Sequence, residues 1–96
     1  MSRAERALQM RFEAGVLKLA GRLGAEEAAT LLGEATRHAL ALQRIDLGAL
    51  DDIDSAGVAC LHLLRREAAS AGRTLALQPV SSRYRAICVA HRLSTD

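Results

Sequence analysis

The sequence predicts an α/β domain: a mixed sheet of about four strands with about three helices packed on it, in the order β-β-α-β-α-β-α. Three observations carry this expectation. Short strand-like runs alternate with longer stretches of helical period. Parallel neighbours need a crossover connection, and the intervening helices supply it. The 96 residues suit one domain with a modest core, with a core region at about 10–93, and no internal repeat or low-complexity linker divides them.

The elements follow in order. Residues 1–8 mix charge and alanine and read as a frayed start. Met10-Arg11-Phe12-Glu13 alternates apolar and polar residues, as a strand with one face inward does. Ala14-Gly15 signals a turn, and Val16-Leu17-Lys18-Leu19-Ala20, closed by Gly21, completes a hairpin. Gly24 precedes a helix from Ala25 to about Leu42, because Ala28, Leu31, Leu32, Ala35, Ala39 and Leu42 recur on one side. Glu26 and Glu27 early and Arg37-His38 late suit its dipole. Gly33 weakens it slightly. Arg44-Ile45-Asp46-Leu47 reads as a central strand and Gly48 to Ile53 as a loop. A second helix runs from about Ser55 to Ala71 and stops at Gly72. Thr74-Leu75-Ala76-Leu77-Gln78 is the next strand, ended by Pro79. Ser81-Ser82 caps a last helix, Arg83 to His91, with Tyr84, Ile87, Cys88 and His91 on one face. The tail Arg92 to Asp96 is polar apart from Leu93.

Composition narrows the function. Hydrophobic residues make up 50% of the chain, but Phe12 and Tyr84 are its only aromatics. The core is therefore aliphatic, and stacking platforms for single-stranded nucleic acid are absent. The net charge is only +2, and Arg65-Arg66 with Arg83 and Arg85 reads as solvated helix surface, so nucleic-acid binding is not expected. Cys60 and Cys88 each sit in an apolar helical pattern and read as reduced, buried hydrophobes of a cytoplasmic protein. No CxxC pair and no His–carboxylate cluster has metal spacing. No run reaches the ~18 apolar residues of a membrane span, and the start has no signal-like apolar region.

One stretch stands out. In Ile53-Asp54-Ser55-Ala56-Gly57-Val58 a turn launches the second helix, with Asp54 or Ser55 as N-cap. A hydroxyl at this helix start lies where added negative charge is electrostatically favoured. Along the helix, Gly57, Leu61, Leu64 and Ala68 form the core side, with Val58 at its edge. The other side collects Ala59, His62, Leu63 and Arg66, an apolar surface ringed by polar groups, which suits a protein partner.

Catalysis finds no support. The sequence around Ser55 is not GxSxG. His38, His62 and His91 fall on helices with no matched nucleophile. Asp46, Asp51, Asp52 and Asp54 read as capping and solvating carboxylates rather than a cation site. Neither GxGxxG nor GxxxxGK[ST] occurs, so no phosphate-cradling loop is legible. No enzyme activity, cofactor or metal is expected.

Ile45-Asp46-Leu47 before the loop, and Asp54-Ser55-Ala56-Gly57 opening a helix, resemble the STAS domain of anti-sigma factor antagonists and of sulfate transporters. The resemblance covers about residues 10–93. It implies a phosphorylatable Ser55 after the motif Asp54: an antagonist binds its kinase when unmodified and is released when a phosphate adds roughly −1.5 to −2 charge to the contact. Arg44-Ile45-Asp46-Leu47, Val58-Ala59-Cys60-Leu61-His62-Leu63-Leu64 and Leu75-Ala76-Leu77-Gln78-Pro79-Val80 are similar to the MlaB branch, the small STAS subunit on the cytoplasmic ATPase of the Mla phospholipid-transport ABC complex. There a hydroxyl residue stands at the position of Ser55, at the ATPase contact. Kinase-regulated antagonists usually carry Ser-Ser or Ser-Thr before the Gly, where this chain has Ser55-Ala56. The resemblance therefore implies a protein partner, first an ABC ATPase subunit and alternatively an anti-sigma kinase. It also implies a cytoplasmic location, at the inner face of the membrane through a transporter complex. The contact would comprise Ser55 with Asp54, Ala56, Ala59, His62, Leu63 and Arg66.

Overall fold

A computed structural model describes residues 7–90. The elements are β1 (Gln9–Glu13), β2 (Val16–Leu23), α1 (Ala25–Arg37), β3 (Arg44–Ile53), α2 (Ser55–Ser70), β4 (Ala76–Leu77) and α3 (Ser82–Ala90). The strands form one sheet in the order β1-β2-β3-β4. β1 and β2 are antiparallel, while β2–β3 and β3–β4 are parallel. The mixed four-stranded sheet with three helices is the predicted architecture.

Alternation along the strands sets the layers. Leu17, Leu19 and Leu23 of β2 and Ile45, Leu47, Leu50 and Ile53 of β3 are buried, and they face one side of the sheet. Leu31 and Ala35 of α1, Val58, Leu61 and Leu64 of α2, and Tyr84 and Cys88 of α3 close on that side. Residues between them, such as Lys18, Arg44 and Asp46, occupy the opposite, helix-free face.

Four boundaries differ from the sequence expectation. The first helix ends at Arg37 instead of Leu42, because the chain must turn back to the hairpin: the N–H groups of Gln43 and Arg44 both donate to Gly15 O, at 2.8 and 3.2 Å. Leu42 is still buried, but a turn delivers it. β2 continues past Gly21 to Leu23, with Gly21 at φ 90° beside a register shift. β3 is a ten-residue strand where a loop was expected from Gly48. Its pairing with β2 shifts register twice, so the apolar residues Leu47, Leu50 and Ile53 recur every third residue and the period of two is lost. β4 keeps only two paired residues of the expected five. The hairpin turn matches expectation, with Ala14 and Gly15 both at positive φ, 52° and 82°, as a two-residue turn of this hand requires. His91 and the tail 92–96 lie outside the described residues, as do residues 1–6 of the expected frayed start.

Candidate functional site

The ends of β2 and β3 lie side by side, Leu23 opposite Ile53, and each leads directly into a helix. Asp54 links the two exits. Its Oδ1 accepts from Gly57 N at 2.9 Å, capping α2, and its Oδ2 accepts from Ala25 N, the first residue of α1, at 3.4 Å. The positive ends of two helices thus converge on one carboxylate. Asp54 N–H donates to Leu23 O at 3.2 Å, and Glu27 Oε1 accepts from Gly24 N at 2.8 Å. From α3, Arg83 Nε donates to Ile53 O at 3.2 Å.

Gly57 completes the motif for a packing reason. A Cβ placed there would lie 2.4 Å from Leu23 O and 3.0 Å from Ile53 Cγ1. The first turn of α2 therefore rests on the end of β2 at a distance only glycine allows.

Ser55 and Ala56, the first residues of α2, are exposed. From Ser55 an exposed stripe descends through Ala59, Leu63 and Arg66, spanning about 16 Å along the axis. Leu63 is 41% exposed. Small side chains at Ser55, Ala56 and Ala59 let another backbone approach the upper part of the stripe. Leu63 offers an apolar anchor below it, and Arg66 a charge at its end. The opposite side buries Gly57, Val58, Cys60, Leu61, Leu64 and Ala68.

His62 belongs to a different surface from the one its spacing suggested. It is half-buried in the seam between α2 and α3. Its Nε2 lies 3.2 Å from Tyr84 Oη and 3.6 Å from Cys88 Sγ, and its ring is parallel to that of Tyr84 within 6°. Burial first, and the Arg65 charge second, push the His62 pKa below its ordinary value of 6.5. It is therefore the neutral imidazole that bonds across the seam at neutral pH. Burial also raises Tyr84, with a further rise from its bond to Cys88. The signal for this cluster was present in the sequence: Tyr84 and Cys88 share a face of α3 at i, i+4 spacing.

The remaining candidates have structural employment. Asp46 Oδ1 accepts from Gly48 N at 2.8 Å, and the described residues contain no group of His, Cys, Asp and Glu that could hold a metal ion. Cys60 and Cys88 are free thiols in the core, and burial pushes the Cys60 thiol up, away from the nucleophilic thiolate. No described helix is long and apolar enough to cross a membrane.

The sequence matches the family model described as "Mlab, STAS domain" over residues 7–95. The chain is a STAS-domain protein. Its fold resembles that of the anti-sigma factor antagonist SpoIIAA in its unphosphorylated form, at 17% identity and a TM-score of 0.60, over 83% of this chain and 80% of that one. It also resembles the Bacillus cell fate determinant SpoIIAA in the phosphorylated form, at 19% identity and a TM-score of 0.63, over 91% and 85% of the two chains. A further likeness, to the protein named Mglu, has 17% identity and a TM-score of 0.59, over 77% of this chain and 20% of that one. No functionally curated protein matches the sequence. At these identities the solved structures establish the STAS fold alone. STAS domains are in general non-catalytic binding or regulatory folds that act through protein–protein contacts.

Proposed function

We propose that this STAS protein is a regulatory subunit that binds the cytoplasmic ATPase of an MlaFEDB-like phospholipid-transport ABC complex. On this reading residues 1–96 act as one domain, placed at the inner face of the cytoplasmic membrane through the complex. The observation that carries the proposal is the exposed stripe of α2, Ser55, Ala56, Ala59, Leu63 and Arg66, rising from the Asp54 cap. A rigid helix presents these side chains, and the cap holds its start in place. The MlaB-type family match over residues 7–95 supports the ATPase as partner.

Ser55 is the first residue of α2 and the upper end of the stripe, so a charge added there enters the contact where the small side chains let a partner approach closely. Ser55→Asp is expected to weaken co-purification with the ATPase by about tenfold or more, the cost of desolvating an unpaired carboxylate in an interface. Undiminished co-purification would contradict the proposed contact.

A second reading keeps the surface and changes the partner. In it the protein is an anti-sigma factor antagonist, bound to an anti-sigma kinase until Ser55 is phosphorylated. Its support is the exposed hydroxyl at the N-terminus of α2 and the likeness to SpoIIAA, solved both with and without phosphate. Ser55→Ala separates the two. A phosphorylation switch becomes permanently binding in that variant, whereas an ATPase contact weakens.

A further inference from the structure

Arg65 and Arg85, which read from the sequence as solvated helix surface, are brought to one groove by the seam between α2 and α3. His62 Nε2 lies 3.2 Å from Tyr84 Oη across that seam. Arg65 follows His62 by one helical turn on the same face, and Arg85 follows Tyr84 directly. Arg44 joins them from the sheet. It opens β3 opposite Ala76 of β4, and its guanidinium donates to Gln78 O at 2.7 Å. The three arginines line an open groove of about 880 Å³, together with Thr74, Gln78 and Pro79.

Nothing neutralises this groove from within. No acidic residue is among its described lining, and none of the three arginines enters an ion pair among the described residues. The carboxylates closest in sequence are engaged elsewhere. Asp46 Oδ1 accepts from Gly48 N at 2.8 Å, and Glu67 lines a separate cavity between α1 and α2. The net charge of the whole chain is +2, so the groove alone holds more positive charge than the chain has in excess. Arg44 and Arg65 are also half-buried, which strips part of the water that would screen them. An anion placed among them relieves the repulsion and gains charge-assisted hydrogen bonds.

We infer that this groove binds a ligand carrying a pair of phosphate groups. Each guanidinium presents its N–H donors in a planar fork that matches two phosphate oxygens. A tetrahedral phosphate offers oxygens in several directions, which suits forks arriving from β3, α2 and α3 better than a planar carboxylate does. The groove is the size of a small-molecule site and has room for more than one phosphate. Thr74 and Gln78 add neutral hydrogen-bonding groups along it. Paired phosphates occur in a soluble diphosphate and in a lipid headgroup such as that of cardiolipin. The groove is separate from the α2 stripe, since Arg65 and Leu63 lie on opposite sides of the helix at ~100° per residue.

Isothermal titration of the full chain with sodium pyrophosphate is the test. Saturable binding is expected, weakened roughly tenfold in Arg85→Gln and again roughly tenfold in Arg65→Gln. Arg37→Gln removes the same charge from the exposed end of α1 and should change affinity by less than about twofold. Citrate, of similar charge near neutral pH, should bind about tenfold more weakly or less. Amide shifts in NMR spectra should centre on Thr74 and Gln78. Cardiolipin vesicles then separate the two sources: sedimentation of the protein that pyrophosphate reverses assigns a lipid headgroup, and pyrophosphate binding without sedimentation assigns a soluble diphosphate. Four results would overturn the inference: no binding of pyrophosphate, an equal loss in Arg37→Gln, equal binding of citrate, or shifts centred on the helix starts at Ala25 and Gly57.

Discussion

Gly57→Ala tests whether the glycine of the Asp54–Gly57 motif is a packing requirement. The added methyl would sit 2.4 Å from Leu23 O and 3.0 Å from both Leu23 Cγ and Ile53 Cγ1. The closest of these is a backbone atom at the end of β2, and it already accepts from Asp54 N–H at 3.2 Å. It cannot yield as a flexible side chain does. Overpacking of this kind costs about 1–3 kcal/mol, and the rigidity of the neighbour argues for the upper end. Against this, Ala is favoured over Gly in a helix by about 1 kcal/mol. The net expectation is a loss of about 2 kcal/mol, which in a domain of this size lowers Tm by roughly 8–16 °C. Gly33→Ala is the matched control. It lies within α1 with nothing within 4 Å of its added Cβ, so the helix preference stands alone and should raise Tm by roughly 4–8 °C. Thermal melts followed by far-ultraviolet circular dichroism read both. If Gly57→Ala melts at or above the wild type, the close approach of α2 to β2 is wrong.

Three further outcomes follow from the same geometry. Asp54→Ala removes the cap of α2 and the weaker contact to α1, so urea unfolding should show a loss of about 1–2 kcal/mol, with Asp54→Asn losing less. His62 has its folded pKa held below 6.5 by burial and then by Arg65, so the unfolded chain takes its proton first. The stability that neutral His62 contributes is complete above about pH 6.5 and declines as pH falls through that value. The urea midpoint of His62→Gln should therefore depend less on pH in the mildly acidic range than that of the wild type; equal slopes would show that His62 does not control it. Charge at Ser55 in the Ser55→Glu variant should reduce partner binding while leaving the melting curve within a few degrees of the wild type, because the side chain is exposed.

The order of elements was legible because most apolar runs here have a clean period. α2 was read to within a residue at its end, since Gly72 stops it at φ 77°. β3 was cut short because its two register shifts hide the alternation on which strand recognition depends. α1 was read too long because Leu42 keeps the helical phase although a turn carries it. At the site, the Asp54 cap and the exposed side of α2 were readable from spacing, because both are local. The second contact of Asp54, to Ala25, joins residues 29 apart and leaves no periodic trace. His62 fell at the border of the exposed arc, and only the packing of α3 decided that it faces Tyr84 and Cys88.

On the proposed function, the stripe from Ser55 to Arg66 docks on an ABC ATPase. Affinity capture of the tagged chain from native lysate, with wild type and Leu63→Arg compared by quantitative mass spectrometry, tests it most directly. Leu63 is 41% exposed, so the variant should retain its circular dichroism spectrum and melting temperature. The wild type should capture an ABC ATPase, depleted by about tenfold or more with Leu63→Arg. Capture of an anti-sigma kinase in its place, or an ATPase retained in full by a folded Leu63→Arg protein, would contradict it.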